Sequence, residues 1–141
     1  MGKRRSTVSD DELIGLATEA REFAHAPYSN FAVGAALLSA DGRIFTGCNI
    51  EISTLGLTTC AERVAIFKAV SDGVREIARV AIVADHVDLA PPCGCCRQMM
   101  WEFGTEETEI ILANLDGRVE RFELKQLFPH AFDSSFLESL K

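Results

Sequence analysis

A chain of 141 residues, 48% hydrophobic, has the length of one domain and enough apolar content to bury one core. Its formal net charge of −7 speaks against a nucleic-acid surface, which needs clustered Lys and Arg, and favours a small neutral substrate. No apolar run approaches the roughly 20 residues of a membrane span, and no apolar stretch follows the basic start MGKRRSTVSDDEL, so a soluble, cytoplasmic protein with no membrane partner is expected. Five cysteines, an odd number without a secretory signal, do not suit a disulfide framework and point to metal or reactive thiols. Gly2 and Ser6 fit the loose myristoylation pattern, which is short enough to arise by chance. Residues 1–8 are expected to form a flexible tail ahead of a single domain spanning the chain.

Ser9 and Glu12 form a capping-box pair ahead of Leu13, Leu16, Ala17, Ala20, Phe23 and Ala24 at helical spacing, which predicts a first helix ended by Pro27. The runs FAVGAALLS and RIFTGCNI, joined by Ala40-Asp41-Gly42, predict an antiparallel pair. Thr59 is the expected cap of a helix through CAERVAIFKAV to Gly73. RVAIVA then reads as a buried strand, and a helix is predicted from near Cys93 to Gly104. EIILANL and RVERFEL, separated by Asp116-Gly117, predict another strand pair with the alternating second member at an edge, and SSFLESL a short closing helix. The order predicts an α/β fold of three layers, α/β/α, around a five-stranded mixed sheet.

The stretch PPCGCCRQ, residues 91–98, has three readings when taken alone. Cys93 and Cys96 form a C-x-x-C pair suited to redox chemistry, to half of a zinc site, or to plain burial as small apolar side chains. TTCAERVA, residues 58–65, separates them by placing Cys60 at a second helix start. Helix N-termini favour thiolates, so Cys60, Cys93 and Cys96 can hold one tetrahedral Zn²⁺ and leave the fourth position open, as a catalytic zinc requires. Glu62 lies near enough to reach water there as general acid and base. Thr59 and Glu62 also satisfy a capping box, so the carboxyl reads as a cap about as readily until the metal is considered. Three thiolates on Zn²⁺ leave a formal charge of −1, which Arg63 or Arg97, each beside a ligand segment, can offset by hydrogen-bonding a thiolate.

With CAER followed by PCGCCRQ, the chain resembles the cytidine deaminase family in its small, all-cysteine form, with Cys60 where the deaminase signature often has His. APYSNFAVGAALL, GCNIE and LFPHAF resemble further segments of that family, so the likeness runs from about residue 10 to 132. The resemblance implies a cytidine deaminase-like fold and zinc-dependent hydrolytic deamination of cytidine or 2′-deoxycytidine in pyrimidine salvage, with one Zn²⁺ per subunit. It implies that Cys60, Cys93 and Cys96 bind the metal, that Glu62 relays protons, and that Arg63 compensates charge. Phe31, Asn49, Glu51 and Ala61 would contact the nucleoside, Asn49 and Glu51 through the ribose hydroxyls. Phe132 would reach a neighbouring subunit's site within a homotetramer.

The chain departs from the family's usual N-[VI]-E-N-[AS]-[AS]-[YF] run at Ile52 and Leu55, where a polar Asn and an aromatic are replaced. A modified aminopyrimidine nucleoside, or a nucleoside antibiotic such as blasticidin S, is therefore the alternative substrate. A zinc-stabilised binding module and a Cys93–Cys96 thiol oxidoreductase are the rivals from other classes, although neither needs Cys60 and Glu62 at a second helix start. Cys48 and Cys95 are expected to be non-ligands, and His25, His86 and His130 have no role in these motifs.

Overall fold

The computed structural model describes residues 8–138, so the Gly2/Ser6 pattern and the end of SSFLESL lie outside the described residues, as does the expected tail apart from Val8. Helix α1, Asp10–Arg21, opens at Ser9, whose Oγ accepts the Glu12 amide at 3.1 Å, and carries Asp10, Asp11 and Glu12 in the first turn where the helix dipole favours negative charge. It stops short of Pro27 and leaves Phe23 80% exposed, contrary to the apolar spacing. The competing structure is backbone pairing: His25 N–H donates to Asn49 O at 3.0 Å and Glu51 N–H to His25 O at 2.8 Å, which pulls the chain out of the helix.

Strands β1, Val33–Ser39, and β2, Ile44–Cys48, form the expected hairpin, turning through Gly42 at φ +89°. Helix α2, Ala61–Ser71, ends in a Schellman motif, with Val74 N–H bonded to Ala69 O and Gly73 N–H to Val70 O around Gly73 at φ +94°. Strand β3, Ile77–Ala84, helix α3, Gly94–Phe103, and strand β4, Glu109–Ala113, make a crossover that leaves β3 and β4 parallel. Strand β5, Val119–Glu123, pairs antiparallel with β4 at the edge, giving a five-stranded mixed sheet of order β2-β1-β3-β4-β5.

Helix α1 covers one face of the sheet over Ala36, Leu38, Ala81, Val83 and Ile111. On the other face, α2 and α3 pack Ala65, Ile66, Ala69, Cys96 and Met100 against Leu37, Val80, Ile82, Ile110 and Leu112. The central strands are therefore apolar on both sides, as the uninterrupted RVAIVA run requires. Two short helices follow, α4, Leu124–Leu127, and α5, Ser135–Glu138. The sequence pattern misses α4 because its capping box uses Glu123, which is also the last residue of β5.

Asp10 ties α1 to the sheet by accepting Arg79 Nη1 of β3 at 2.8 Å and Arg121 Nε of β5 at 2.6 Å. Burial pushes its carboxyl up, but the two guanidiniums outweigh burial and hold it below the ordinary 3.8. A carboxyl with a depressed folded pKa adds stability above its unfolded value, and that stability is lost as the pH falls through the folded value. Asp10→Asn should therefore lower unfolding free energy by about 1–2 kcal/mol at pH 7. In urea titrations the gap to the parent should close below about pH 3.8; a gap independent of pH would contradict the role given to Asp10.

Candidate active site

Backbone bonds from Ile50 N–H to Thr59 O and from Thr59 N–H to Ile50 O fold the 49–60 loop back on itself and deliver Cys60 to the start of α2. Gly47 of β2 fixes the helix position: a Cβ there would lie 2.5 Å from Ala61 O and 2.7 Å from Ala65 N, so only glycine permits this backbone contact. Cys60 caps α2 and Cys93 caps α3, yet neither makes a side-chain capping bond. Their sulfurs turn toward each other instead. Cys60 Sγ and Cys93 Sγ are 3.7 Å apart, Cys93 Sγ and Cys96 Sγ 3.4 Å, and the three sulfurs lie within 4.8 Å of one another.

Tetrahedral Zn–S bonds of about 2.3 Å place sulfurs about 3.8 Å apart, so the cluster fits one zinc ion held by Cys60, Cys93 and Cys96. Thiolate donors suit zinc, and with three protein ligands a fourth tetrahedral position is left for water or substrate. Cys95 is exposed and outside the cluster, and Cys48 is half-buried elsewhere. The thiols share charge unequally: the hydrogen bond from Cys96, aided by Arg63 and Cys93, holds Cys60 down at about 5, while the Cys60 contact and burial push Cys96 up.

The boundary of α2 bears on the capping reading of Glu62. The helix is capped by Cys60 rather than Thr59, whose hydroxyl bonds Leu57 O at 3.2 Å. Glu62 therefore occupies the second helical position, not the third that a capping box needs. It is 4% exposed beside the thiols, and burial pushes its carboxyl up to about 7. Arg63 Nη2 donates to Thr58 O at 3.3 Å and to Cys60 Sγ at 3.4 Å, and its buried Nε has no hydrogen-bond partner among the described residues. The Cys60 contact raises the Arg63 pKa further, so a full positive charge stands at the cluster. Arg97 does not join it, donating instead to Pro92 O at 2.8 Å and Leu127 O at 2.5 Å.

A cavity of about 290 Å³ opens on the sulfurs, lined by Phe31, Asn49, Glu51, Ala61 and Glu62 together with Cys60 and Cys93. Asn49 Oδ1 accepts Val33 N–H at 2.8 Å and its Nδ2 donates to Phe31 O at 2.7 Å, so the amide fixes the segment that carries Phe31. Glu51 accepts the Tyr28 and Ser29 amides at 3.0 and 3.1 Å and the Ser29 hydroxyl. The Ser29 hydroxyl, followed by these amides, keeps the Glu51 carboxyl below its ordinary value and hence anionic. Ser29, Ala90 and Pro91 also line the cavity without having been given a role from the sequence; the Pro27–Asn30 turn was the signal for Ser29, and the prolines before Cys93 for the other two.

Phe132 is not among the residues lining this cavity; it is 56% exposed and stacks on Phe136 at 5.5 Å. A larger concavity of about 370 Å³ lies between α1, β2 and α2, but it is mostly apolar and holds none of the three clustered thiols. His25 pairs through its backbone with Ile50 and adds a smaller electrostatic pull to those that lower the Glu51 carboxyl, and His86 Nδ1 accepts the Asp88 amide at 3.0 Å. Among the described residues no helix is long and apolar enough to cross a membrane.

An open three-thiolate zinc site with a buried carboxyl, set at two helix starts above an α/β/α sheet, places the molecule among the zinc-dependent hydrolytic deaminases. Residues 7–112 match the cytidine and deoxycytidylate deaminase zinc-binding region, and the chain belongs to that family. It is 49% identical over 120 residues to cytidine deaminase of Halalkalibacterium halodurans, covering 85% of this chain and 91% of the relative. The identity to cytidine deaminase of Sporosarcina psychrophila is also 49%, over 127 residues, 90% of this chain and 93% of that one. Among solved structures, cytidine deaminase from Burkholderia pseudomallei aligns with a TM-score of 0.86 at 45% identity, covering 89% of this chain and 100% of that one.

Proposed function

We propose that the protein deaminates cytidine and 2′-deoxycytidine to uridine and 2′-deoxyuridine, releasing ammonia, in pyrimidine salvage in the cytoplasm. The observation that carries this reading is the buried Glu62 carboxyl beside three convergent sulfurs at the base of a nucleoside-sized cavity. Zinc supplies the Lewis acidity that makes water nucleophilic near neutral pH. Glu62 takes the proton as the water oxygen bonds to C4 of the base, passes one to the ring nitrogen, and delivers one to the departing amino group. Atoms balance, since water and cytidine become uridine and ammonia. Arg63, already on Cys60 Sγ, offsets the negative charge of three thiolates.

Phe31 forms an apolar wall for the base, and the Ala61 backbone meets its polar edge. Asn49 and Glu51 bind the ribose hydroxyls, and their hydrogen bonds to residues 28–33 hold them ready for it. Phe132, exposed in one chain, completes the pocket of a neighbouring subunit in a homotetramer. Ile52 and Leu55, 37% and 68% exposed on the loop leading to Cys60, favour a second reading in which the base or sugar is modified.

The test is ammonia release by zinc-replete protein given cytidine, 2′-deoxycytidine and blasticidin S, with zinc content measured on the same sample. Turnover of the first two is expected. Zinc-loaded protein that acts on blasticidin S alone would transfer the reading to modified nucleosides, and one inert on every nucleoside would leave a binding module.

A further inference from the structure

Beyond the two sulfurs of its first turn, α3 carries a row of donors aimed at the C-terminal segment. Arg97 Nη1 donates to Leu127 O at 2.5 Å, Gln98 Nε2 to Phe132 O at 2.8 Å, and Trp101 Nε1 to Asp133 Oδ2 at 3.0 Å. The Trp101 ring meets Phe128 edge-on with centroids 6.0 Å apart. Residues 129–133 are irregular, with His130 at φ +55°. Among the described residues they make no backbone hydrogen bond to the sheet or to α1, α2 or α3. Side chains of the helix that begins at the cysteine cluster therefore tie this segment to the body of the fold. Arg97 binds both ends of the arrangement, because its Nε also holds Pro92 O immediately before Cys93.

We infer that Arg97, Gln98 and Trp101 form a latch that sets Phe132 relative to the cysteine end of α3, with Gln98 a positioning residue for nucleoside binding. The kinetic part rests on the proposed entry of Phe132 into a neighbouring subunit's pocket. Gln98 does not line the cavity and its hydrogen bond to Phe132 goes to the backbone carbonyl, so its loss acts on where the ring stands rather than on proton transfer. A neutral hydrogen bond of ordinary strength corresponds to a change of about fivefold in binding.

The experiment compares zinc-loaded, full-length Gln98→Glu, Gln98→Lys and Phe132→Ala proteins. Gln98→Glu keeps the shape of the side chain but opposes the Phe132 carbonyl with an acceptor, whereas Gln98→Lys restores a donor. Trp101 is the only tryptophan, so its emission reports the latch directly. Gln98→Glu is expected to retain zinc and kcat, to raise KM for cytidine about fivefold, and to shift Trp101 emission to the red. Gln98→Lys should show neither change. Unchanged Trp101 emission in Gln98→Glu overturns the latch whatever the kinetics. If Phe132→Ala raises KM and Gln98→Glu does not, the positioning role of Gln98 is overturned while the reading of Phe132 stands. If Phe132→Ala leaves KM unchanged, the pocket role of Phe132 fails, and the positioning role of Gln98 falls with it.

Discussion

Glu62→Gln should retain one zinc per chain and the parent fold while lowering kcat on cytidine by about 10³-fold or more. Glutamine has nearly the volume of glutamate and keeps hydrogen-bonding capacity, so the 4%-exposed site suffers neither a cavity nor an unsolvated charge. What it lacks is a group that takes a proton from water and gives it to nitrogen. Zinc binding should survive because the metal-sized cluster is made of three sulfurs and does not include the carboxyl. Ammonia release and metal content measured together decide the matter: a zinc-loaded Glu62→Gln protein with more than a tenth of parental turnover would remove Glu62 from the reaction.

The second large effect concerns the sulfurs. Cys60→Ser, Cys93→Ser and Cys96→Ser should each weaken zinc binding by more than about 100-fold, beyond what loss of an outer hydrogen-bonding partner does, because a direct thiolate ligand is lost. Activity should vanish in all three. Cys96→Ser should also lower thermal stability the most, since Cys96 is fully buried against the sheet while Cys93 is exposed. Cys95→Ser is the internal control, with an exposed side chain outside the cluster, and should bind zinc and turn over as the parent does. Equal zinc loss in Cys95→Ser and Cys93→Ser would mean that the metal is held by another set of thiols.

Much of this was legible in the sequence because the periodic signals are local. The β1–β2 hairpin follows from alternating apolar runs around Asp41-Gly42, and the burial of β3 from an uninterrupted β-branched stretch. The sulfur cluster was legible because two helix starts on one face of a sheet must bring their first residues close together. What failed depended on contacts that local patterns do not encode. Phe23 fits the apolar spacing of α1, but pairing of His25 with the 49–51 segment ends the helix first. The one-residue difference between Thr59 and Cys60 as the cap of α2 is what turns Glu62 from a capping residue into a group facing the sulfurs. Arg97 lies next to Cys96 in sequence, yet a tertiary contact with Leu127 directs it away from the cluster.

Cys60 and Cys93 stand 33 positions apart in the chain and 3.7 Å apart in the fold. An ion gripping both sulfurs closes a loop that contains α2 and β3, which makes the catalytic centre a cross-link as well. Because the ion binds only where folding has brought the sulfurs together, it stabilises the protein by mass action, by an amount that grows with the logarithm of free zinc above its dissociation constant. Chelation should therefore loosen the α2–α3 face before the face under α1, which Asp10 fastens to β3 and β5 without any metal. In a chain with no disulfide among its described residues, the availability of zinc then governs resistance to proteolysis as well as turnover.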